Sequence, residues 1–460
     1  MASPSPLDVA LPKAPMNIII IGGSNTGLMN GIVLKRLGHN VRILEQNTQS
    51  ERADLAAGIT TYPEFEEFMK VHDQTGEPWS VHSPAIQWLN KDAGVTRRLN
   101  KPLQMTSWSV IYYRLRANFD GLASGFCAKP PAAGEHDGSA IFDLGKQVTR
   151  LSVDGGVRVE YTDLADGDKP AEVTADMVIL ADGANSRLRH ALFPEVERRY
   201  AGYVAFRGTV PESEVSEETK KAFDPNLTYF CFKGKYILLY IIPGADGSLA
   251  PGHRRYNWVW YHPIAARSQS FTDIMTDASG AVHRNTLPAG SMNPRAWENY
   301  KTIARLQMCA PFAEVVQKTS QPFVTAISDL ACPRAVALGG KALIAGEALN
   351  LVRPHMALST TASAAQALLL GQAFGGALTL REWERRVLYD GQLSALKTNA
   401  FGTFFLYGFL TAAGWVGRLL FAVVRGRLPR GALPDSSSGP AEVGADAEGK
   451  GERTGKAKTA

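Results

Sequence analysis

Glycine, hydroxyl and carboxylate side chains come together at three places in this chain, each directly after an apolar run. The first is Gly22-Gly23-Ser24-Asn25-Thr26-Gly27, following Asn17 to Ile21. Gly22 suits a tight turn, Gly27 lets a helix close on a strand, and the N–H groups of the helix start suit a pyrophosphate. The spacing is that of the dinucleotide fingerprint with Ser24 at the middle glycine, a side chain small enough for the backbone to approach a phosphate. Glu45 ends the next apolar run, 23 residues beyond Gly22, where a carboxylate takes the ribose hydroxyls of an unphosphorylated adenosine. The second place is Val178 to Asp182-Gly183, then Ser186, Arg187 and Arg189; read alone, it is a strand, a turn and a helix capped by Ser186. The third is Ala342 to Gly346-Glu347-Ala348, followed by Arg353-Pro354-His355 and a small-residue helix start from Ala357. A carboxylate at a strand end, facing a helix N-terminus, suits a sugar-alcohol chain beside a phosphate.

The elements needed to hold these groups are legible. Asn17 to Ile21 is a continuous apolar run, the mark of a central parallel strand buried on both faces. A helix to Leu37 with Gly38 at its end and a strand at Val41 to Leu44 complete a βαβ unit. From about Tyr200 to Tyr261, β-forming runs separated by Gly, Pro and Asp predict an antiparallel sheet of different character. An apolar strand returns near Ala337 to Ala345, with a helix over Thr360 to Phe374. The expected organisation is therefore a nucleotide domain at 16–199 and 331–390, which substrate-domain strands interrupt near 65–110. The substrate domain lies mainly at 200–330. A hydrophobic helical segment at 391–430 follows, and 1–15 and 431–460 read as disordered ends. Phe401 to Gly417 carries no charge and continues after Arg418 as Leu419 to Val424, near the length of a membrane span. It reads either as a packed helix, with Gly402, Gly408 and Gly414 against neighbours, or as a membrane contact through 401–424.

The bulk numbers bound the rest. The 460 residues, 45% hydrophobic and 20% charged, suit two interlocked globular domains. The net charge of +5 is scattered through the folded region and concentrates only near the C-terminus, which gives no nucleic-acid surface. Four cysteines without a CxxC pair give neither a disulfide framework nor a metal site, and no signal peptide is evident. A reducing, cytoplasmic setting is expected.

In this order and at these separations, the three segments resemble those of the class A flavoprotein monooxygenases, the family of para-hydroxybenzoate hydroxylase. Asp182, Gly183, Ser186 and Arg189 fit every fixed position of the family's D-G-x-x-S-x-x-R motif. The third motif departs from G-D-A-A-H…P: Glu347 stands for Asp, Leu349 and Asn350 replace Ala-His, Pro354 keeps its place, and Ala357 and Ser359 occupy the following glycine positions. The branch containing 2,6-dihydroxypyridine hydroxylase shares the Gly-Gly-Ser-x-x-Gly-Leu opening, the Tyr200 to Glu212 segment and the Arg-Pro-His. The resemblance covers about Met16 to Asp390. It implies an α/β fold with a Rossmann-like, GR2-type FAD-binding domain interleaved with an antiparallel-sheet substrate domain, plus C-terminal helices. It also implies non-covalent FAD, NAD(P)H as co-substrate without a Rossmann domain of its own, and hydroxylation of a phenol- or pyridine-like ring by O2 through a flavin C4a-hydroperoxide. By resemblance Gly22, Ser24, Gly27, Glu45, Gly58, Arg116, Asp182, Gly183, Glu347 and Pro354 would contact FAD, with Arg114 a competitor of Arg116.

His355, beside Pro354, is a candidate base or orienting donor, or a loop histidine with a hydrogen bond and no catalytic part. Tyr203 and Arg207 are further candidates, and Arg207 reads equally as a structural ion pair. Tyr229, Tyr240, Trp258 and Trp260 read as core rather than substrate clamp. Two other functions fit the residues: a tailoring flavin oxygenase performing epoxidation or oxidative rearrangement on a larger apolar substrate, supported by the hydrophobic C-terminal stretch, and a flavin-binding module that does not oxygenate, supported by the altered third motif.

Overall fold

The computed structural model describes residues 6–8, 10–51, 57–426 and 442–444. Its first layer is a six-stranded sheet in the order Val336–Ala337, Ala342–Ile344, Met177–Leu180, Asn17–Ile21, Asn40–Leu44, Ala140–Asp143. All neighbours run parallel except the first pair, with Ile19 opposite both Val178 and Arg42. Ile18 to Ile21 are buried on both sides, as an uninterrupted apolar strand requires. The helices Asn25–Arg36, Trp108–Asp120 and Leu358–Phe374 complete this core. Thr26 and Ser363, on the first and last of these, share a 2.8 Å hydroxyl hydrogen bond across 337 residues of sequence. Two segments far apart in the sequence thus meet at one place.

The second layer is a larger, mostly antiparallel sheet. Its strands include Phe323–Ala331, Arg199–Pro211, Arg255–Pro263, Lys235–Ile242 and Leu227–Phe232, extended by Ile86–Leu89 and Val95–Leu99. Alternation along Arg255–Pro263 divides its side chains. Tyr256, Trp258 and Trp260 enter one hydrophobic core, where Trp258 Nε1 donates to Thr319 Oγ1 at 2.9 Å; Val259 and Tyr261 enter another.

Three details differ from the sequence reading. Within the leader, Pro6–Asp8 forms a turn of 3-10 helix, with Leu7 buried and Asp8 paired to Arg381 at 2.5 Å. Within the tail, Glu442–Gly444 pairs with the strand Lys146–Asp154; the remaining expected-disordered residues of 1–5, 9 and 431–460 lie outside the described set. The charge-free C-terminal run is not one helix: Gly408, at φ +86°, turns the chain between the helices Leu380–Tyr407 and Phe409–Gly426. Of the three glycines expected to pack closely, Gly402 does, whereas a Cβ on Gly408 or Gly414 would meet nothing within 4 Å.

Candidate active site

Two cavities lie between the sheets. The first, about 330 Å³, is lined by Ser24, Asn25 and Thr26 from the start of one helix and by Leu358, Ser359 and Thr360 from the start of another. Neither helix has a capping side chain, so the free N–H groups of two first turns face one space. Two positive helix ends converging on a cavity suit a pyrophosphate. Gly22 makes the approach possible. Its φ is +102°, and a Cβ there would lie 2.5 Å from the Ala181 carbonyl oxygen. Gly27 has a steric reason too: a Cβ would sit 2.0 Å from the Gly22 carbonyl oxygen.

The carboxylates arrange themselves around this space. Glu45 is buried and braces the turn, accepting from Gly23 N at 2.8 Å and Asn47 N at 2.9 Å. Glu347 lines the cavity and accepts from Ser359 Oγ at 2.8 Å. Gly346 N donates to Gln366 Oε1 at 2.8 Å, which fixes the turn that presents Glu347. One oxygen of Asp182 is buried without a hydrogen-bond partner, and burial pushes its pKa up to about 6. Such an orphan acceptor beside the cavity asks for a hydroxyl donor. Gly58 supplies a flat wall: a Cβ there would meet Asn257 Nδ2 at 2.5 Å and Tyr240 Oη at 2.7 Å. Uncapped helix starts, an orphan carboxylate oxygen and a glycine wall together fit FAD, with its phosphates, ribityl hydroxyls and planar ring.

Of the residues read from sequence, Ser24, Gly58, Gly183, Arg207, Glu347 and Pro354 line the first cavity. Gly22, Gly27, Glu45 and Asp182 shape or brace the turns around it from behind. Arg116 is set back: it pairs with Asp120 at 2.7 Å and lies 3.6 Å from the centre of the Phe142 ring, which in turn covers Gly23. Arg114 faces elsewhere, bonded to Asp73 at 2.7 Å and to the Glu77 carbonyl. Trp108, Tyr240 and Tyr261 line the cavity but were not singled out for it from sequence.

The second cavity, about 410 Å³, is mostly apolar, with Trp88, Leu103, Tyr229, Leu238, Phe401 and Phe405 among its walls. Tyr229 and Tyr240, read as core, are therefore cavity walls, while Trp258 and Trp260 are core. The two cavities share Tyr240, Val259, Tyr261, Pro354 and Ala357. Arg207 stands at this junction; its Nε is buried without an acceptor, and the expected ion pair is absent among the described residues. Burial pushes the Tyr240 phenol up to about 12, with the Arg207 charge pulling the other way.

His355 borders the second cavity and is held from both sides. Tyr203 Oη lies 2.6 Å from Nε2 and Tyr236 Oη 2.5 Å from Nδ1. Burial first, and the neighbouring Arg353 second, hold its pKa down to about 3. A neutral imidazole donates once and accepts once, so one tyrosine hydroxyl donates a hydrogen bond to the ring and the other accepts one from it. Tyr203 lines neither cavity; it reaches the site through His355.

A family model described as FAD binding domain-like matches residues 200–329. The 2,6-dihydroxypyridine 3-monooxygenase of Paenarthrobacter nicotinovorans is 27% identical over 382 residues, covering 81% of this chain and 87% of the relative. The 6-hydroxynicotinate 3-monooxygenase of Bordetella bronchiseptica is 29% identical over 201 residues, 42% of this chain and 48% of the relative. Among solved structures, 2,6-dihydroxypyridine-3-hydroxylase from Arthrobacter nicotinovorans superposes with a TM-score of 0.72 at 25% identity, covering 86% of this chain and 94% of that one.

Proposed function

We propose that this chain, a class A FAD-dependent monooxygenase, hydroxylates an electron-rich aromatic or heteroaromatic ring of the phenol or pyridine kind with NAD(P)H and O2. The single observation that carries the substrate reading is the shared wall: a ring in the apolar cavity lies against Tyr240, Val259 and Tyr261, the same residues that close the flavin cavity. Bound in that cavity, FAD supplies the activation of dioxygen with electrons taken from NAD(P)H. The chain itself binds, orients and keeps water out. The helix starts at Ser24 and Leu358 would take the pyrophosphate, Glu45 the adenosine ribose, and Asp182 and Glu347 the ribityl hydroxyls. Gly58 and Gly183 would leave room for the flavin, Pro354 would pass beside it, and Arg116 would act through Phe142 on the adenosine side. Arg207 would turn its unpartnered N–H toward an oxygen of the substrate or of the flavin. Tyr203, His355 and Tyr236 would orient the ring, with His355 neutral at the working pH. The names of the relatives, which act on hydroxylated pyridines, support this class.

A larger apolar substrate, epoxidised or rearranged by the same chemistry, is the second reading, favoured by the phenylalanines at 401, 404 and 405 in the cavity wall. With it goes a cytoplasmic enzyme that touches a membrane through 401–424. A flavin spectrum of the purified protein, followed by a screen of hydroxylated pyridines and phenols, tests the first reading. Stimulated NAD(P)H oxidation with a product one oxygen heavier supports it; oxidation stimulated only by large alkenes or polycycles replaces it with the second.

A further inference from the structure

We infer that the helix Phe409–Gly426 rests in the plane of an anionic lipid surface and that the apolar cavity opens onto that surface, drawing an amphiphilic substrate from it. The inference rests on the reading of that cavity as the substrate site. Phe409, Leu410, Val416, Leu420, Phe421 and Val424 fall on one broad face of the helix at about 100° per residue, and that face is turned outward. Leu410 is 89% exposed and Phe409 69%. The opposite face is occupied: Ala412 and Ala422 are buried, and Gly426 sits against Tyr389 of the preceding helix.

Charge selects the occupant. The helix contains no Asp or Glu, and Arg418 and Arg425 fall along one edge of the stripe by helical spacing. That combination, an apolar face edged by arginine, is what an interfacial helix presents to acidic headgroups. Among the described residues this helix alone is long and apolar enough to cross a membrane. At 18 residues it falls slightly short of the about 20 a span needs, and Arg418 lies mid-helix, so lying flat is the cheaper arrangement.

The apolar cavity reaches the residues just before this helix. Phe404 lines the apolar cavity and is 48% exposed beside the turn at Gly408. Arg97 and Lys101 also line it, stacked 5.1 Å from the Trp88 ring and 5.5 Å from the Tyr62 ring, and neither has an acidic partner among the described residues. Apolar walls under two cations match a molecule with an apolar body and an anionic head.

Cosedimentation of the flavin-loaded protein with phosphatidylcholine vesicles, with and without phosphatidylglycerol, tests this. Binding to the anionic vesicles is expected, weakened by salt. Joint replacement Phe409→Ser, Leu410→Ser and Phe421→Ser should lower it by about tenfold or more, and Arg418→Gln or Arg425→Gln by about fivefold each on anionic vesicles only. Flavin content and turnover of a small water-soluble ring should stay unchanged in all three variants, which separates docking from folding and from chemistry. Native protein that stays in the supernatant with both vesicles overturns the inference. So does a native dimer that the triple replacement turns into a monomer, because a second copy would then cover the stripe. Vesicle binding without any ring-stimulated NAD(P)H oxidation would leave docking supported and remove the functional reading beneath it.

Discussion

Gly402 lies directly against the imidazole of His355: a Cβ at 402 would come within 2.0 Å of Nε2. The helix Leu380–Tyr407 thereby serves as the back wall of the loop that carries Pro354 and His355. Gly402→Ala should push the ring out of its place between Tyr203 and Tyr236, destabilising the fold by about 1–3 kcal/mol, the usual effect of overpacking. Thermal melting and ring-stimulated NAD(P)H oxidation should both fall. A variant that melts and turns over like the parent would show that the contact carries no constraint.

His355 itself separates orientation from proton transfer. With its pKa held down to about 3, it stays neutral at the pH where such enzymes are assayed. His355→Asn should slow turnover by about 10- to 100-fold through misplacement of the ring, without moving the midpoints of the pH–rate profile. Loss of one limb of that profile in the variant would instead make His355 the titrating base.

Gly27→Val should give insoluble or flavin-free protein, since a Cβ has only 2.0 Å to the Gly22 carbonyl oxygen. Yellow, soluble variant protein would mean that the turn is not where the cofactor binds.

Glu347→Asp keeps a carboxylate at the strand end and should retain FAD, whereas Glu347→Ala should weaken it by about 1.5–3 kcal/mol, the range for hydrogen bonds to a charged group. Ser359 Oγ, which now donates to Glu347, would be left to solvent or phosphate in the alanine variant. Dissociation constants from flavin fluorescence decide between them; equal values for parent and alanine variant would reduce the third motif to structure alone.

Asp182 should leave a pH signature in the FAD-free protein. Its folded pKa is raised, so its contribution is fully present below the ordinary 3.8 and is lost as pH rises through about 6. Asp182→Asn removes that loss. The variant should therefore melt higher than the parent at about pH 8, with the gap closing between about pH 6 and 4. A gap that is constant with pH would show that the acid is not strained by burial.

What the sequence reveals is whatever the chain writes locally. Gly22, Gly27 and Glu45 stand in one βαβ unit, and Asp182-Gly183 and Gly346-Glu347 each end a strand, so neighbours in sequence announce them. Tyr229 and Tyr240 could not be told from Trp258 and Trp260 in that way. Their strands are mostly buried on both faces, large apolar side chains fill both, and no regular polar alternation marks the side that meets a cavity. The Arg114 and Arg116 choice likewise depends on partners from distant elements, Asp73 for one and Phe142 for the other. The break at Gly408 was missed because a glycine inside an apolar run suits close helix packing as well as a left-handed turn.

The Thr26–Ser363 bond has a consequence for how the protein is made. The two helix starts that would receive the pyrophosphate are separated by most of the coding sequence. At about 5–20 residues per second, the ribosome delivers the second one roughly 15–70 s after the first. During that interval the nascent chain owns half a phosphate site and an uncovered edge of its central sheet, since Ala342–Ile344 has yet to pair with Met177–Leu180. On the proposed reading, flavin capture would be a late event, coincident with closure of the sheet, and a fragment ending before Ala342 would have neither the edge strand nor the second helix start to hold it.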